Sequence, residues 1–193
     1  MSNACEAFAT KLRIFSGSSH PELAREIADY LGCPVCPSYT TRFSNDNLFV
    51  QLGESVRGKE VVIIQSFVPP VSDHLLELLM MIDAARSASA HTIHAVIPYF
   101  SYARSDKKDQ PRISITARLI ADLITTAGAN HVMTMTLHSP QVHGFFSVPT
   151  DHLTSQPAFV NHFRTRDLSN TIIVAPDIGH AKRAARLARS LGV

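Results

Sequence analysis

Short apolar runs of strand length alternate with amphipathic helical patterns along most of this chain. This alternation constrains the fold more than any other feature, because a helix must follow each strand of a parallel sheet and pack back onto it. The predicted strands are residues 12–15, 47–52, 61–65, 92–97, 132–137 and 171–175. Predicted helices begin at Pro21, Ser72, Pro157 and His180, and a further helix is predicted to have Ser114 as its cap. The pattern therefore predicts an α/β fold with a mostly parallel sheet.

The composition is that of a water-soluble globular chain. With 193 residues, 45% of them hydrophobic, the sequence can form one domain, or one domain and part of a second. The net charge of +2 is too small to indicate a nucleic-acid partner, and the basic helix at 182–189 is typical of a solvated face. We find neither a membrane-spanning run nor a signal peptide, so we expect a cytoplasmic protein with no membrane partner.

Two polar residues follow predicted strands. His138 ends the run 132–137 and precedes Ser139 and Pro140, which are typical of the start of a helix. Asp177 follows the run 171–175. Because the carboxyl ends of parallel strands meet at one edge of a sheet, we expect His138 and Asp177 to lie together there.

Such a pair has two interpretations. An imidazole and a carboxylate, completed by water and phosphate oxygens, can hold Mg²⁺, although His is an uncommon ligand for this ion. Alternatively, His138 caps a turn and Asp177 is the N-cap of the last helix. The residues alone favour the capping interpretation.

The loop 98–112 is long for a connection between a strand and a helix. It carries four cations and two tyrosines, a mixture that suits the phosphates and the base of a nucleotide. A solvated loop whose charges are balanced by Asp106 and Asp109 is an equally good interpretation.

Cys33 and Cys36 form a C-x-x-C pattern. A redox pair requires a helix that begins just after the first thiol, whereas here a helix has just ended. We therefore favour two small buried thiols over a redox pair or half of a zinc site.

Six segments of the chain, taken in order, resemble ribose-phosphate pyrophosphokinases (phosphoribosyl pyrophosphate synthetases). These segments are FSGSSHPELAREIADYLG, ESVRGKEVVIIQS, LLELLMMIDAARSASAHTIHAVIPYFSYARSDKK, ISITARLIADLITTAGA, LHSPQVHGFFSVPTDHL and IIVAPDIGHAKRAARLA. The resemblance implies a phosphoribosyltransferase-like three-layer fold, with a parallel sheet and helices on both faces. It implies a first domain at 1–152 and the start of a second, incomplete domain at 153–193.

The same resemblance implies a function. Members of this family transfer a diphosphoryl group from ATP to ribose 5-phosphate with Mg²⁺, usually as hexamers. ATP and ribose 5-phosphate are therefore the expected partners, in a homo-oligomer.

Several residues match the family's binding positions. Phe43 and Asn45 would lie against the adenine of a neighbouring subunit, Arg104 would contact the ATP phosphates, and Asp109 would lie nearby. His138 and Asp177 would be ligands of Mg·ATP. A regulatory phosphate or ADP site would use four further residues, which are Ser55, Arg57, Ser89 and Asp151.

The chain also departs from the family pattern around these sites. Asn47 replaces a Glu that contacts adenine, Ser105 replaces a Gln and Thr136 replaces an Asp. His143 replaces a Gln beside the regulatory site, and His180 replaces a Gly beside Asp177. Asn47 and Ser105 nevertheless remain in the predicted ATP site.

The basic loop that closes on ATP and the acidic loop that holds ribose 5-phosphate would both follow Val193. We therefore expect the chain to be a fragment that holds no catalytic residue and is inactive alone. The alternative is a non-catalytic paralogue that assembles with active subunits.

Overall fold

The computed structural model describes residues 11–193. The chain divides into two compact units between Leu153 and Thr154. The assignment of two phosphoribosyltransferase-like domains, at 1–152 and 153–193, stays a prediction. No helix among the described residues is long and apolar enough to cross a membrane.

The first unit is built on a six-stranded sheet with the strand order β2-β1-β5-β6-β7-β8. All five pairings are parallel. The strands are β1 (Leu12–Ser16), β2 (Val35–Cys36), β5 (Glu60–Ile64), β6 (Thr92–Ile97), β7 (His131–Met135) and β8 (Thr150–Leu153). Four of them match predicted strands within two residues, whereas β2 and β8 are too short to show a pattern.

Helices cover both faces of this sheet, which confirms the predicted three-layer α/β fold. Helix α1 (Pro21–Leu31) packs Ala24 and Ala28 against one face. Helices α2 (Val71–Ser87) and α3 (Thr116–Ala127) bury their apolar faces on the other. The core on that side includes Ile63, Leu78, Ile82, Ile93, Ile120 and Ile124. Strands β5 and β6 lie between the two layers, which explains their apolar character.

A separate antiparallel hairpin joins β3 (Ser38–Arg42) and β4 (Leu48–Leu52). The alternation in 47–52 predicts β4. The sequence Ser-Tyr-Thr-Thr-Arg of β3 is polar and mostly exposed, so it has no core-facing apolar pattern to reveal it.

Cys33 and Cys36 are free and buried, as the sequence predicts. Burial and the nearby carboxylate of Glu54 raise the pKa of the Cys36 thiol to about 11. Cys36 therefore stays protonated at neutral pH and is a poor nucleophile.

The second unit contains α4 (Gln156–Phe163), a 3₁₀ turn at Ile178–His180 and α5 (Ala181–Leu191). The predicted strand at 171–175 is wrong. Ile172 is 84% exposed and Val174 is 80% exposed. No strand in the described residues pairs with this segment, and an apolar run cannot form a strand without a neighbour to accept its backbone hydrogen bonds.

The buried carboxylate of Glu77 connects three segments of the first unit. It accepts hydrogen bonds from the Ser18 hydroxyl (2.6 Å), the Thr40 hydroxyl (2.7 Å) and the Gln65 amide (2.5 Å). The backbone N–H of Ser18 also donates to both carboxylate oxygens. Any side chain on Gly17 would collide with Gln65, so the loop after β1 can approach this cluster only with glycine there.

We predict that Glu77→Gln destabilises the first unit by about 1–3 kcal/mol, because the new amide N–H₂ would face groups that themselves donate. Urea denaturation measures the loss of unfolding free energy. Glu26→Gln, on the exposed side of α1, is the matched control and should change stability little. Equal effects of the two variants would show that the cluster does not stabilise the fold.

Candidate functional site

The loops that follow β6 and β7 leave the same edge of the sheet, because these neighbouring strands are parallel. The first loop carries Arg104, and the second carries His138. Arg104 and His138 therefore lie on neighbouring loops at the carboxyl edge of the sheet. Their role in one binding site stays a prediction.

The turn at His138 is held by its flanking residues. The N–H of Thr136 donates to the carbonyl of Leu153 (2.8 Å), and the N–H of Leu137 donates to the imidazole of His152 (2.9 Å). Leu137 is buried, whereas His138 is exposed. Ser139 is the N-cap residue and Pro140 begins the helix, as predicted, but the helix is a 3₁₀ turn, Pro140–Phe145. The imidazole of His138 is thus presented to solvent by an anchored turn.

Arg104 ends the 3₁₀ turn Ser101–Arg104. The buried side chains of Phe100 and Ala103 anchor this turn to the core. The guanidinium of Arg104 and the carboxylate of Asp109 are both exposed. The loop therefore offers a cation to solvent from a fixed base.

Ser105, rather than Ser114, caps α3. The Ser105 hydroxyl accepts from the N–H of Thr116 (3.2 Å) and donates to the carbonyl of Ser114 (3.2 Å). The carbonyl of Ser105 accepts from the N–H of Ala117 (3.1 Å). The N-cap position is occupied by Ile115, whose side chain cannot cap, so the prediction of a Ser114 cap is wrong. Ser105 thus joins the start of the loop 106–115 to the first turn of α3.

The tip of the hairpin carries Phe43, Asn45 and Asn47. The N–H of Phe43 donates to the carbonyl of Asn47 (2.9 Å), and the N–H of Asn47 donates to the side chain of Asn45 (3.3 Å). The Phe43 ring is 55% exposed and lies 5.7 Å from the ring of Phe49. The structure therefore groups these three predicted residues on one ordered turn with an exposed aromatic face.

Asp177 does not follow a buried strand, because the segment 171–175 forms no strand and exposes Ile172 and Val174. It caps the 3₁₀ turn Ile178–His180 instead. Its Oδ1 accepts from the N–H of His180 (3.0 Å) and lies 2.8 Å from the imidazole Nδ1 of His180. This side-chain hydrogen bond holds the pKa of Asp177 below its ordinary value. Asp177 is thus a cap, but of this 3₁₀ turn rather than of the last helix, whose N-cap is His180. The grouping of Asp177 with His138 in one metal site stays a prediction.

The predicted regulatory residues fall into two groups. Arg57 lies 3.4 Å from the hydroxyl of Ser89, and the carbonyl of Ser89 accepts from the N–H of Gly58 (2.8 Å). Ser55 is exposed on the same loop as Arg57. Asp151, in contrast, lies on β8, where its carboxylate is 3.1 Å from the imidazole of His131.

The contact of Asp151 belongs to a row of side chains that the sequence analysis missed. His94 and His131 are paired in register on β6 and β7, with their Nδ1 atoms 3.1 Å apart. Burial and the neighbouring His131 lower the pKa of His94. Only the register of the two strands brings these imidazoles together, so no local sequence signal could reveal the contact.

We predict that Ser105→Ala lowers the unfolding free energy by about 0.5–2 kcal/mol, because the N–H of Thr116 loses its acceptor. Thermal unfolding monitored by circular dichroism measures this loss. Ser101→Ala is the control, because the buried Ser101 hydroxyl has no partner among the described residues. A Ser101→Ala variant as destabilised as Ser105→Ala would contradict a capping role for Ser105.

We predict that Asp177 titrates below its ordinary pKa of 3.8 and that His180→Ala raises this pKa. A carboxylate with a depressed pKa contributes stability above its unfolded-state pKa and loses it as the pH falls through the folded-state value. Carboxyl ¹³C NMR titration of both proteins measures the shift. An unchanged pKa in His180→Ala would exclude His180 as its cause.

Comparison with known proteins places this geometry in a family. A family model described as the N-terminal domain of ribose phosphate pyrophosphokinase matches residues 12–128. Ribose-phosphate pyrophosphokinase from Deinococcus radiodurans is 56% identical over 182 residues, which cover 93% of this chain and 57% of that protein. The protein of the same name from Chlorobaculum tepidum is 48% identical over 184 residues, covering 95% of this chain and 57% of the relative.

A solved structure shows the same fold. The crystal structure of phosphoribosylpyrophosphate synthetase from Mycobacterium smegmatis superposes with a TM-score of 0.90 at 39% identity, covering 94% of this chain and 61% of that one. The chain therefore spans less than two thirds of the length of these relatives. With a family model matched across more than half of its residues, the chain belongs to the ribose-phosphate pyrophosphokinase family.

Proposed function

We propose that this protein is a ribose-phosphate diphosphokinase, which converts ATP and ribose 5-phosphate into phosphoribosyl pyrophosphate and AMP. Its relatives carry the name of this enzyme. The observation that carries the proposal is the placement of the Arg104 and His138 loops on neighbouring parallel strands at one edge of the sheet. This edge is where open α/β sheets bind their ligands.

The exposed side chains suit a nucleotide. The guanidinium of Arg104 can form paired, charge-assisted hydrogen bonds with phosphate oxygens. The exposed ring of Phe43 offers a flat apolar surface to a base, and the amides of Asn45 and Asn47 can both donate to and accept from its edge. We propose that these residues bind ATP, with Ser105 and Asp109 in the same loop as Arg104.

The proposed reaction is an in-line attack of the anomeric hydroxyl of ribose 5-phosphate on the β-phosphorus of ATP. AMP leaves, and the hydroxyl proton passes to solvent or a base. Reactions of this type depend on positioning and charge neutralisation rather than on a covalent enzyme intermediate. In this chain, Arg104 would neutralise and orient the phosphates.

His138 and Asp177 are the proposed residues for Mg²⁺. No group of three His, Cys, Asp or Glu side chains suited to a metal is found within residues 11–193. Mg²⁺ commonly takes only one or two protein ligands and completes its shell with water and phosphate oxygens. Both side chains are exposed, and an imidazole or a carboxylate that is open to solvent can each serve as such a ligand. The ion would supply charge neutralisation at the phosphates.

We also propose that Ser55, Arg57 and Ser89 bind a regulatory phosphate or ADP. Arg57 and Ser89 already lie side by side, and a guanidinium with neighbouring hydroxyls is a suitable anion site. Asp151 belongs to this proposed site by resemblance. We further propose a homo-oligomer, because the family pattern has Phe43 and Asn45 contact the adenine of a neighbouring subunit.

Binding of Mg·ATP to the 193-residue chain tests the proposal. We predict that isothermal titration calorimetry detects binding and that Arg104→Ala weakens it by about tenfold or more, because a charged hydrogen bond to phosphate is lost. The matched control is Arg25→Ala on the exposed side of α1. We expect this control to bind like the unchanged chain.

Failure of the chain to bind Mg·ATP, or equal affinities of the two variants, would contradict the assigned ATP site. The reaction itself is tested with the full-length gene product. There, AMP should form from ATP only when ribose 5-phosphate is present. Absence of AMP would exclude the proposed reaction.

A further inference from the structure

Two side-chain hydrogen bonds join helix α2 to the β3–β4 hairpin. The Thr40 hydroxyl donates to Glu77 Oε1 (2.7 Å), and Arg42 Nη2 donates to Asp73 Oδ2 (2.5 Å). We call these four residues the hairpin clamp.

The spacing of the clamp follows from regular secondary structure. Thr40 and Arg42 are two positions apart on β3, so their side chains lie on the same face, about 7 Å apart. Asp73 and Glu77 are four positions apart on α2, so their side chains are neighbours about 6 Å apart. The two spacings are similar, so both hydrogen-bonded pairs can form at once. We call the Thr40–Glu77 pair and the Arg42–Asp73 pair the two rungs of the hairpin clamp.

The two rungs differ in their surroundings. Glu77 is 2% exposed and is fixed by its hydrogen bonds to Ser18 and Gln65. The side chains of Arg42 and Asp73 are 38% and 40% exposed. The Thr40–Glu77 rung therefore anchors the base of the hairpin, whereas the Arg42–Asp73 rung can open without unfolding the core.

The outer rung continues into the hairpin tip. Arg42 Nη1 donates to both the carbonyl and the carboxylate of Asp46, each at 2.8 Å. Asp46 has a φ of +69° and donates its N–H to the carbonyl of Phe43 (2.9 Å). One guanidinium thus links α2 to the turn that presents Phe43 and Asn45.

We propose that Arg42 and Asp73 are positioning residues that hold the hairpin tip in its nucleotide-binding arrangement. The proposal rests on the proposed function, because Phe43 and Asn45 are the ATP-contacting residues it serves. Neither Arg42 nor Asp73 needs to touch the nucleotide. A tip ordered in advance loses less conformational freedom on binding, so the outer rung increases affinity without adding a contact.

If the Arg42–Asp73 pair positions the tip, its loss should increase the mobility of the tip and weaken nucleotide binding. The unfolding midpoint should remain nearly unchanged, because exposed ion pairs contribute little to global stability. If the pair had no positioning role, its loss would leave nucleotide binding unchanged. High salt should reproduce part of the effect, because the pair is accessible to screening ions.

The test compares Asp73→Ala with Glu22→Ala. Both variants remove an acidic residue from the first turn of a helix, but only Asp73 contacts the hairpin. NMR hydrogen exchange of the Phe43 and Asp46 amides should be about 2- to 5-fold faster in Asp73→Ala than in the unchanged chain. Glu22→Ala should leave these amides unchanged, and Asp73→Glu should restore slow exchange. Equal exchange rates in the two alanine variants would overturn the clamp.

Calorimetry with Mg·ATP supplies the second measurement. The affinity for Mg·ATP should fall by about 2- to 5-fold in Asp73→Ala and remain unchanged in Glu22→Ala. A loosened tip with unchanged ATP affinity would overturn the positioning role. If the unchanged chain binds no ATP, the proposed ATP site is refuted, whereas faster exchange in Asp73→Ala alone would still establish the clamp.

Discussion

A buried carboxylate organises the functional side of the first unit. Glu77 lies in the core on α2, where a charged group is tolerated only if hydrogen bonds replace its lost hydration. Its donors come from the loop after β1, from the hairpin strand β3 and from Gln65, the residue that follows β5. Three segments distant in the chain must therefore adopt compatible positions, and the carboxyl edge of the sheet is ordered as a consequence.

The parallel sheet determines where exposed chemistry can occur. Since β6 and β7 run in the same direction, the loops that follow them leave the sheet at one edge. Phe100 and Ala103 are buried in the loop that carries Arg104, and Leu137 is buried in the loop that carries His138. These buried side chains anchor each loop to the core. Arg104 and His138 are therefore exposed on rigid supports, which is the arrangement that a binding site requires.

Two departures from the family pattern have local structural roles. Where the resemblance implies a Gln, the short Ser105 hydroxyl accepts from the N–H of Thr116 in the first turn of α3. Where the resemblance implies a Gly, the imidazole of His180 contacts Asp177 and lowers the pKa of that carboxylate. Each of these side chains forms hydrogen bonds with neighbouring groups beside a proposed ATP or Mg²⁺ residue. The substitutions thus alter the surroundings of the proposed ligands while leaving Arg104 and His138 exposed.

The order and type of most elements could be inferred from the chain alone, because strands β5 and β6 and the amphipathic helices carry strong local patterns. His138 could likewise be placed at a strand end, since its neighbours Ser139 and Pro140 signal a break. Strand β3 could not be found, because a polar edge hairpin has no hydrophobic period. The run 171–175 shows the opposite case: its apolar residues predict a strand, but it has no pairing partner among the described residues.

Contacts between distant residues depended on tertiary structure alone. The Glu77 cluster, the His94–His131 pair and the Arg42–Asp73 rung each join residues more than 30 positions apart or on different elements. Such contacts depend on strand register and on the placement of helices, and no local sequence pattern indicates either of them. Local periodicity thus specified which segments become strands and helices, whereas packing specified which polar side chains meet.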